Sequence, residues 1–272
     1  MQKPDITIIT ATYNAAATVE RTLHSVERQS FHRFEHIIVD GASTDATVHL
    51  VKAYQRRNSD RDITLISEPD RGLYDAFNKG IACARGTYLV FLNAGDTLHD
   101  VHTLERVMQA ANNPSSATGK AAPSVADGTA SSAALPAVIY GETNIVDDSG
   151  KFLHPRRLKI PKRLTWRSFQ QGMLVCHQSF YALRSLAPLY DLSYRFSADF
   201  DWCVRLLKAA QEQGLETRQV DAVLTDYLAE GMTTRNHHAS LRERYRIMAH
   251  HYGRIRTFLL HGWFALRAIV KR

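Results

Sequence analysis

Several short polar stretches follow apolar runs in this chain, and their residue types define the chemistry open to them. Asn93-Ala94-Gly95-Asp96 follows the run Thr87 to Leu92, Thr12-Tyr13-Asn14 ends the run that begins at Asp5, and Asp40 closes EHIIVD. A carboxylate such as Asp96, with a small neighbour just past the end of a buried strand, suits a divalent cation that already carries phosphate oxygens. The plain alternative is a turn capped by Asp96. Ser197-Ala198-Asp199-Phe200-Asp201-Trp202 offers a different chemistry. Val204 and Leu207 carry an apolar stripe onward, so the segment opens a helix with Ser197 as its N-cap. The helix dipole favours the anion of an aspartate in that first turn, which leaves it ready to accept a proton. Asp199 and Asp201 lie about 200° apart around the helix axis, so both cannot enter one cleft.

The elements that must hold these groups alternate. Asp5 to Thr12, Glu35 to Asp40, Ile63 to Ser67 and Thr87 to Leu92 read as strands. Between them lie helical stripes through Val19, Leu23 and Val26, through Val48, Val51 and Tyr54 (with Ser43 as N-cap), and from Leu73 through Phe77, Ile81 and Ala84. Strand–helix alternation of this kind predicts an α/β fold with a parallel sheet and right-handed crossovers. Three strands ending in polar clusters at one sheet edge argue for a nucleotide pocket. Asp75 and Asn78, three apart on one helix, can face it together or form a solvated polar face. Asn112 to Pro136, rich in Ala, Ser, Pro and Gly, reads as a flexible insertion. Val138 to Glu142, Thr143 to Val146 and Lys151 to His154 follow as short strands, the last two joined by a turn at 147–150.

The motifs TATYNAA, VDGASTDAT, SEPDRGLYDAFNKGI and FLNAGD, and further on CHQSFY, SADFDW and GMTT, stand in an order and spacing that resembles the inverting family-two glycosyltransferases. The resemblance is closest to the branch of bacterial exopolysaccharide clusters, such as the colanic-acid transferases. It implies the GT-A fold, a Rossmann-like mixed, mostly parallel sheet flanked by helices, and transfer of one sugar from a nucleotide sugar, a UDP-sugar above all. It implies that Ala11 and Tyr13 contact the base. Where the family has two aspartates after its second strand, this chain has Asp40-Gly41, so Asp40 must reach the base alone or the contact is lost. The metal motif stands as Asn93-Ala94-Gly95-Asp96, which leaves Asp96 as main ligand for Mn2+ or Mg2+, Asn93 as a neutral helper, and His177 as one candidate to complete the shell. The general base falls on Asp199, with Asp201, Arg205, Gln178 and Thr233 on the acceptor side. Residues 1–236 then form the transferase domain, with 1–100 the nucleotide-sugar half and 137–236 the acceptor half.

The 272 residues carry a net charge of +7, and residues 239–272 hold all of it, with eight Lys and Arg against one Glu. Within 237–272 the apolar run from Phe258 to Val270, with an interior Arg and His, is too short and too polar to span a bilayer, and with Trp263 and Phe264 the tail reads as an amphipathic helix on an anionic membrane surface. The polar start and the three widely spaced cysteines place the chain in the cytoplasm, peripheral at the inner face of the membrane. A polyprenyl-diphosphate-linked glycan is the acceptor this arrangement favours, with no nucleic-acid partner. Two other classes stay open: a different nucleotide-handling transferase, against which the absence of a Gly-rich phosphate loop counts, and a non-catalytic sugar-nucleotide-binding scaffold, which the missing acids at Gly41, Gly95 and Ala198 keep alive.

Overall fold

The structure, a computed structural model, describes residues 3–113, 134–229 and 237–270. Four parallel strands form its first half: β1 (Ile6–Thr12), β2 (Phe34–Asp40), β3 (Asp62–Ser67) and β4 (Tyr88–Phe91). The crossovers carry α1 (Val19–Glu27), α2 (Thr47–Arg57) and α3 (Leu73–Cys83). Both faces of β1 and β4 are covered, which is why they read as unbroken apolar runs. Ile9, Ala11, Leu89 and Phe91 pack toward α3 and α5 (Ala198–Glu212), whereas Ile8 and Val90 pack toward α1 and α4 (Thr103–Asn112).

The second half completes a nine-stranded mixed sheet in the order β3-β2-β1-β4-β8-β6-β9-β5, where β5 is Thr97–Leu98, β6 Val138–Val146, β8 Phe180–Leu183 and β9 Thr217–Leu228. The two short strands expected at 138–142 and 143–146 are one strand, β6, whose register against β9 shifts around Gly141 and Glu142. The expected hairpin is present, with β7 (Phe152–Pro155) antiparallel to β6. The insertion at 112–136 falls largely on residues outside those described, as does Thr233.

After residue 237 the chain forms two helices, α6 (His237–Tyr252) and α7 (Arg254–Val270). α6 belongs to the main body. Its Ile247 and Met248 are fully buried in the core that contains α5, His251 Nε2 lies 2.8 Å from Asp201, and the Tyr252 ring stacks on Trp166. These positions recur at three- and four-residue intervals, the stripe of a helix docked along one face. α7 instead leaves Ile255, Phe258 and Leu259 exposed at 81%, 70% and 65%. Among the described residues no helix is long and apolar enough to cross a membrane.

Candidate active site

The strand ends gather at one sheet edge. Thr12, Asp40 and Ser67 are register neighbours at the ends of β1, β2 and β3. They are tied together by Asp40, whose Oδ1 accepts from Thr12 Oγ1 at 3.0 Å and whose Oδ2 accepts from Ser43 N and Ser67 Oγ, both at 2.9 Å. Asp40 is wholly buried, so it fastens the strand ends and has no free face to turn toward a base. Ser43 is not a helix cap. Its hydroxyl donates to Asp40, and α2 begins only at Thr47, whose N donates to Asp45 Oδ1 at 2.9 Å.

The glycine beside Asp40 has a spatial reason. A Cβ on Gly41 would lie 2.6 Å from Asp70 Oδ2. The carboxylate of Asp70, in the loop before α3, therefore fills the space that a side chain at 41 would need. Asp70 Oδ1 accepts from Gly72 N at 2.8 Å, which sets its orientation. Tyr13 stands at the end of β1 with 67% of its surface exposed, while Ala11 is buried within the strand. Asp75 and Asn78 do not act as a pair. Asp75 accepts from Arg71 N at 3.0 Å, and the Asn78 amide bonds both ways to the Tyr190 backbone, at 3.0 and 2.7 Å.

Asp96 sits in the turn between β4 and β5 and is buried. Burial pushes its carboxyl up to about 6, against hydrogen bonds from Leu228 N to Oδ1 at 2.9 Å and from Gln178 Nε2 to Oδ2 at 2.7 Å. Gln178, expected on the acceptor side, thus holds Asp96 instead. Gly95 beside it has φ +103, a backbone conformation that an acid at 95 would adopt only with strain. Two buried polar atoms of the expected set lack any hydrogen-bond partner: Asn93 Oδ1 and His177 Nε2.

The turn His177–Ser179 links this corner to the helix acid. Gln178 reaches Asp96, and His177 Nδ1 lies 3.4 Å from Asp199 Oδ2. Tyr74, on α3, donates its hydroxyl to Asp199 Oδ1 at 3.2 Å. Burial pushes the Tyr74 phenol well up, with the Asp199 charge adding to it, so it stays a neutral donor. Burial alone would raise the Asp199 carboxyl as well. The His177 contact and the charge of Arg244 outweigh that and hold it below the ordinary range, so Asp199 is ionised. Asp201 points elsewhere, as the helix geometry requires. Its oxygens bind Arg205 Nε at 2.6 Å and His251 Nε2 at 2.8 Å, and Arg205 Nη2 donates to Leu189 O at 2.9 Å. Asp201 and Arg205 therefore clasp α5 to α6 and to the 189 segment, away from the cleft.

Ser197 occupies the N-cap position of α5 without capping it. Its hydroxyl donates to Ser240 O at 3.2 Å, and the turn just before the helix is held by a carboxylate from α6. The Glu243 carboxylate accepts from the backbone N of Arg195, Phe196 and Ser197 at 2.8, 2.7 and 3.0 Å. Three amides converging on one carboxylate fix the turn from which Asp199 projects.

The family model for glycosyl transferase family 2 matches residues 7–186. A PGL/p-HBAD biosynthesis glycosyltransferase of Mycobacterium tuberculosis (strain ATCC 25177 / H37Ra) is 30% identical over 230 residues, 84% of this chain and 78% of that protein. The putative teichuronic acid biosynthesis glycosyltransferase TuaG of Bacillus subtilis (strain 168) is 37% identical over 94 residues, 35% of this chain and 37% of that protein. Among solved structures, S. aureus TarS 1-349 in complex with UDP-GlcNAc superposes with a TM-score of 0.64 at 14% identity, over 94% of this chain and 70% of that one. The mannosyltransferase PcManGT from Pyrobaculum calidifontis, in complex with GDP-Man and Mn2+, gives 0.58 at 19% identity, over 94% and 65%. The structural likenesses carry the fold and the family match carries the class of activity: the chain is a glycosyltransferase and belongs to glycosyl transferase family 2.

Proposed function

We propose that this glycosyltransferase moves a single sugar from a nucleoside-diphosphate sugar to a hydroxyl of a glycan acceptor, with inversion at the anomeric carbon and Asp199 as general base. One observation carries this reading: a half-buried, ionised carboxylate at a helix start, held by Tyr74 and His177, whose supporting turn also reaches Asp96. Asp199 takes the proton of the acceptor hydroxyl as it attacks the face opposite the leaving diphosphate, and inversion follows without a covalent intermediate. Tyr74 and His177 hold the carboxylate in place for that transfer.

The donor atoms near Asp96 fit a cation delivered with the nucleotide. Among the described residues no three His, Cys, Asp or Glu side chains converge to hold a metal ion by themselves. Asp96, with Asn93 Oδ1 and His177 Nε2 unpartnered, supplies a partial shell that diphosphate oxygens complete. Bound there, a divalent ion neutralises charge on the departing diphosphate. The UDP-GlcNAc and GDP-Man/Mn2+ complexes of the structural neighbours support a nucleotide-sugar donor with a divalent ion. Titrating UDP and GDP with and without Mn2+ tests this. Metal-dependent binding of at least one is expected, and binding of neither would refute the donor assignment.

For the base, Tyr13 offers an exposed ring to stack on, and Asp70, rather than Asp40, offers the carboxylate. A ring N–H of uracil or guanine suits Asp70 Oδ2. Asp70→Asn keeps the oxygen that receives Gly72 N but turns Oδ2 into a donor. The variant should therefore lose preference for UDP over CDP by about tenfold, the scale of one mispaired hydrogen bond. An unchanged UDP:CDP ratio, measured by competition binding, would remove Asp70 from the base site.

The acceptor is lipid-linked on this reading. The exposed stripe Ile255, Phe258 and Leu259 on α7, flanked by exposed Arg254 and Arg256, fits an in-plane helix on an anionic leaflet. Each basic residue near such a surface contributes about 1 kcal/mol. Relatives named for PGL/p-HBAD and teichuronic acid biosynthesis support a role in glycan assembly. Truncation before Arg254 should leave nucleotide binding intact, because α6 remains, while sedimentation with phosphatidylglycerol vesicles and transfer to a lipid-linked acceptor are lost. Vesicle binding by the truncated protein equal to that of the full chain would show that α7 has another role.

A further inference from the structure

α6 brings to the site one residue that the steps above leave unused. Arg244 Cζ lies 5.5 Å from the centre of the Phe200 ring, next in sequence to Asp199, and its Nε is buried without a hydrogen-bond partner. A guanidinium is always charged, and on this half-buried side chain only the Phe200 ring answers it, with no hydrogen bond or ion pair to a described residue. Burial lowers its pKa, and the charges of Asp199 and Arg156 both reach it. Asp199 does not neutralise it by contact: its oxygens face Tyr74 and His177, and among the described residues no ion pair joins it to Arg244. Glu243, the neighbouring acid, is taken up by the backbone amides of the turn before α5. Arg156 is fixed by donating to the carbonyls of Leu174, at 2.9 Å, and Met173. The Arg244 guanidinium and the His177 imidazole thus both act on the one carboxylate of Asp199, and the Arg156 charge reaches Arg244. The unpartnered Nε is a donor that an anion with several acceptor oxygens would satisfy.

We propose that Arg244, with Arg156 behind it, binds a phosphate group of a substrate, so that α6 is part of the binding site as well as its scaffold. A phosphate suits the planar fork of a guanidinium, which donates to two oxygens at once. The inference rests on the sugar-transfer reading for the identity of its ligand, since that reaction brings two phosphate-bearing species to the cleft: the donor diphosphate and a lipid-linked diphosphate acceptor. A structural role alone would leave affinity for phosphate unchanged.

The test uses the full chain and the variants Arg244→Gln and Arg244→Lys, the second keeping the charge, with thermal melts to confirm folding. Inorganic pyrophosphate, UDP and uridine are titrated by calorimetry, and KM for the acceptor is measured separately. Pyrophosphate affinity should fall at least about tenfold in Arg244→Gln and less in Arg244→Lys, the scale of a lost charge-assisted pair. A matching fall for UDP, with uridine unchanged, assigns the phosphate to the donor. An unchanged UDP affinity with a raised acceptor KM assigns it to the acceptor. Arg244-dependent pyrophosphate binding in a protein that turns over no nucleotide sugar would uphold the anion site and overturn the transfer reading. Values within twofold of wild type for pyrophosphate, UDP and acceptor KM in folded Arg244→Gln, or no pyrophosphate or UDP binding by wild type, would overturn the inference.

Discussion

Asp199→Asn should lower the rate of sugar transfer by at least about a hundredfold while leaving donor affinity unchanged, the scale of a lost general base. The change keeps the shape of the side chain, and its remaining oxygen can still receive the Tyr74 hydroxyl. What is lost is the capacity to take a proton. Asp201→Asn is the control two residues away. It weakens the clasp to His251 and Arg205, so its effect should appear as lower thermal stability rather than as a comparable loss of turnover. A larger loss of rate at Asp201 than at Asp199 would reverse the assignment. Steady-state kinetics with saturating donor, set beside the melting temperatures, separate these outcomes.

Asp96→Ala should abolish metal-dependent nucleotide binding. Asn93-Ala94-Gly95 beside it offers no second acid, and the positive φ of Gly95 disfavours one there. A titration of UDP with Mn2+ that matches wild type in this variant would place the cation elsewhere. The wild-type protein should show the same dependence through pH. Burial raises the Asp96 carboxyl from its ordinary range to about 6, so in the free enzyme it is ionised above that pH and protonated below it. A proton and a divalent cation compete for the same oxygens. Metal-dependent affinity should therefore be full near neutrality and fall as pH drops through about 6. Asp199 is ionised throughout that window, since its shift is downward, and Asp199→Asn should not move the limb.

Much of this arrangement was legible in the chain because it depends on local pattern. Apolar runs bounded by polar residues mark β1, β2 and β4, and the two-residue spacing of Asp199 and Asp201 already requires that they diverge. What the pattern hides are contacts between distant loops. Gly41 looks like a lost acid until Asp70 is found against it, and Gln178 looks like an acceptor contact until it is found on Asp96. Asn78 reads as a polar face because nothing local signals the Tyr190 backbone. Ser197 has the right residue type for a cap, yet its hydroxyl is turned to Ser240, while a carboxylate brought by α6 binds the amides of residues 195–197 just before the helix. That last case did have a signal. Glu243 is the one acid in the basic stretch 239–272, and a lone acid among eight cations marks a position that needs its charge. A stretch summed as net charge hides such a residue, and with it the division between α6, which builds the site, and α7, which faces outward.

The central claim is that a nucleoside-diphosphate sugar is cleaved here with Asp199 taking the proton of the attacking hydroxyl. Its most direct test is release of nucleoside diphosphate from a panel of UDP- and GDP-sugars with Mn2+ and acceptor, comparing wild type with Asp199→Asn and reading the anomeric configuration of the product by NMR. Metal-dependent release from at least one donor, a product of inverted configuration, and loss of release in the variant are expected. A product of retained configuration, or release by Asp199→Asn at the wild-type rate, would contradict it.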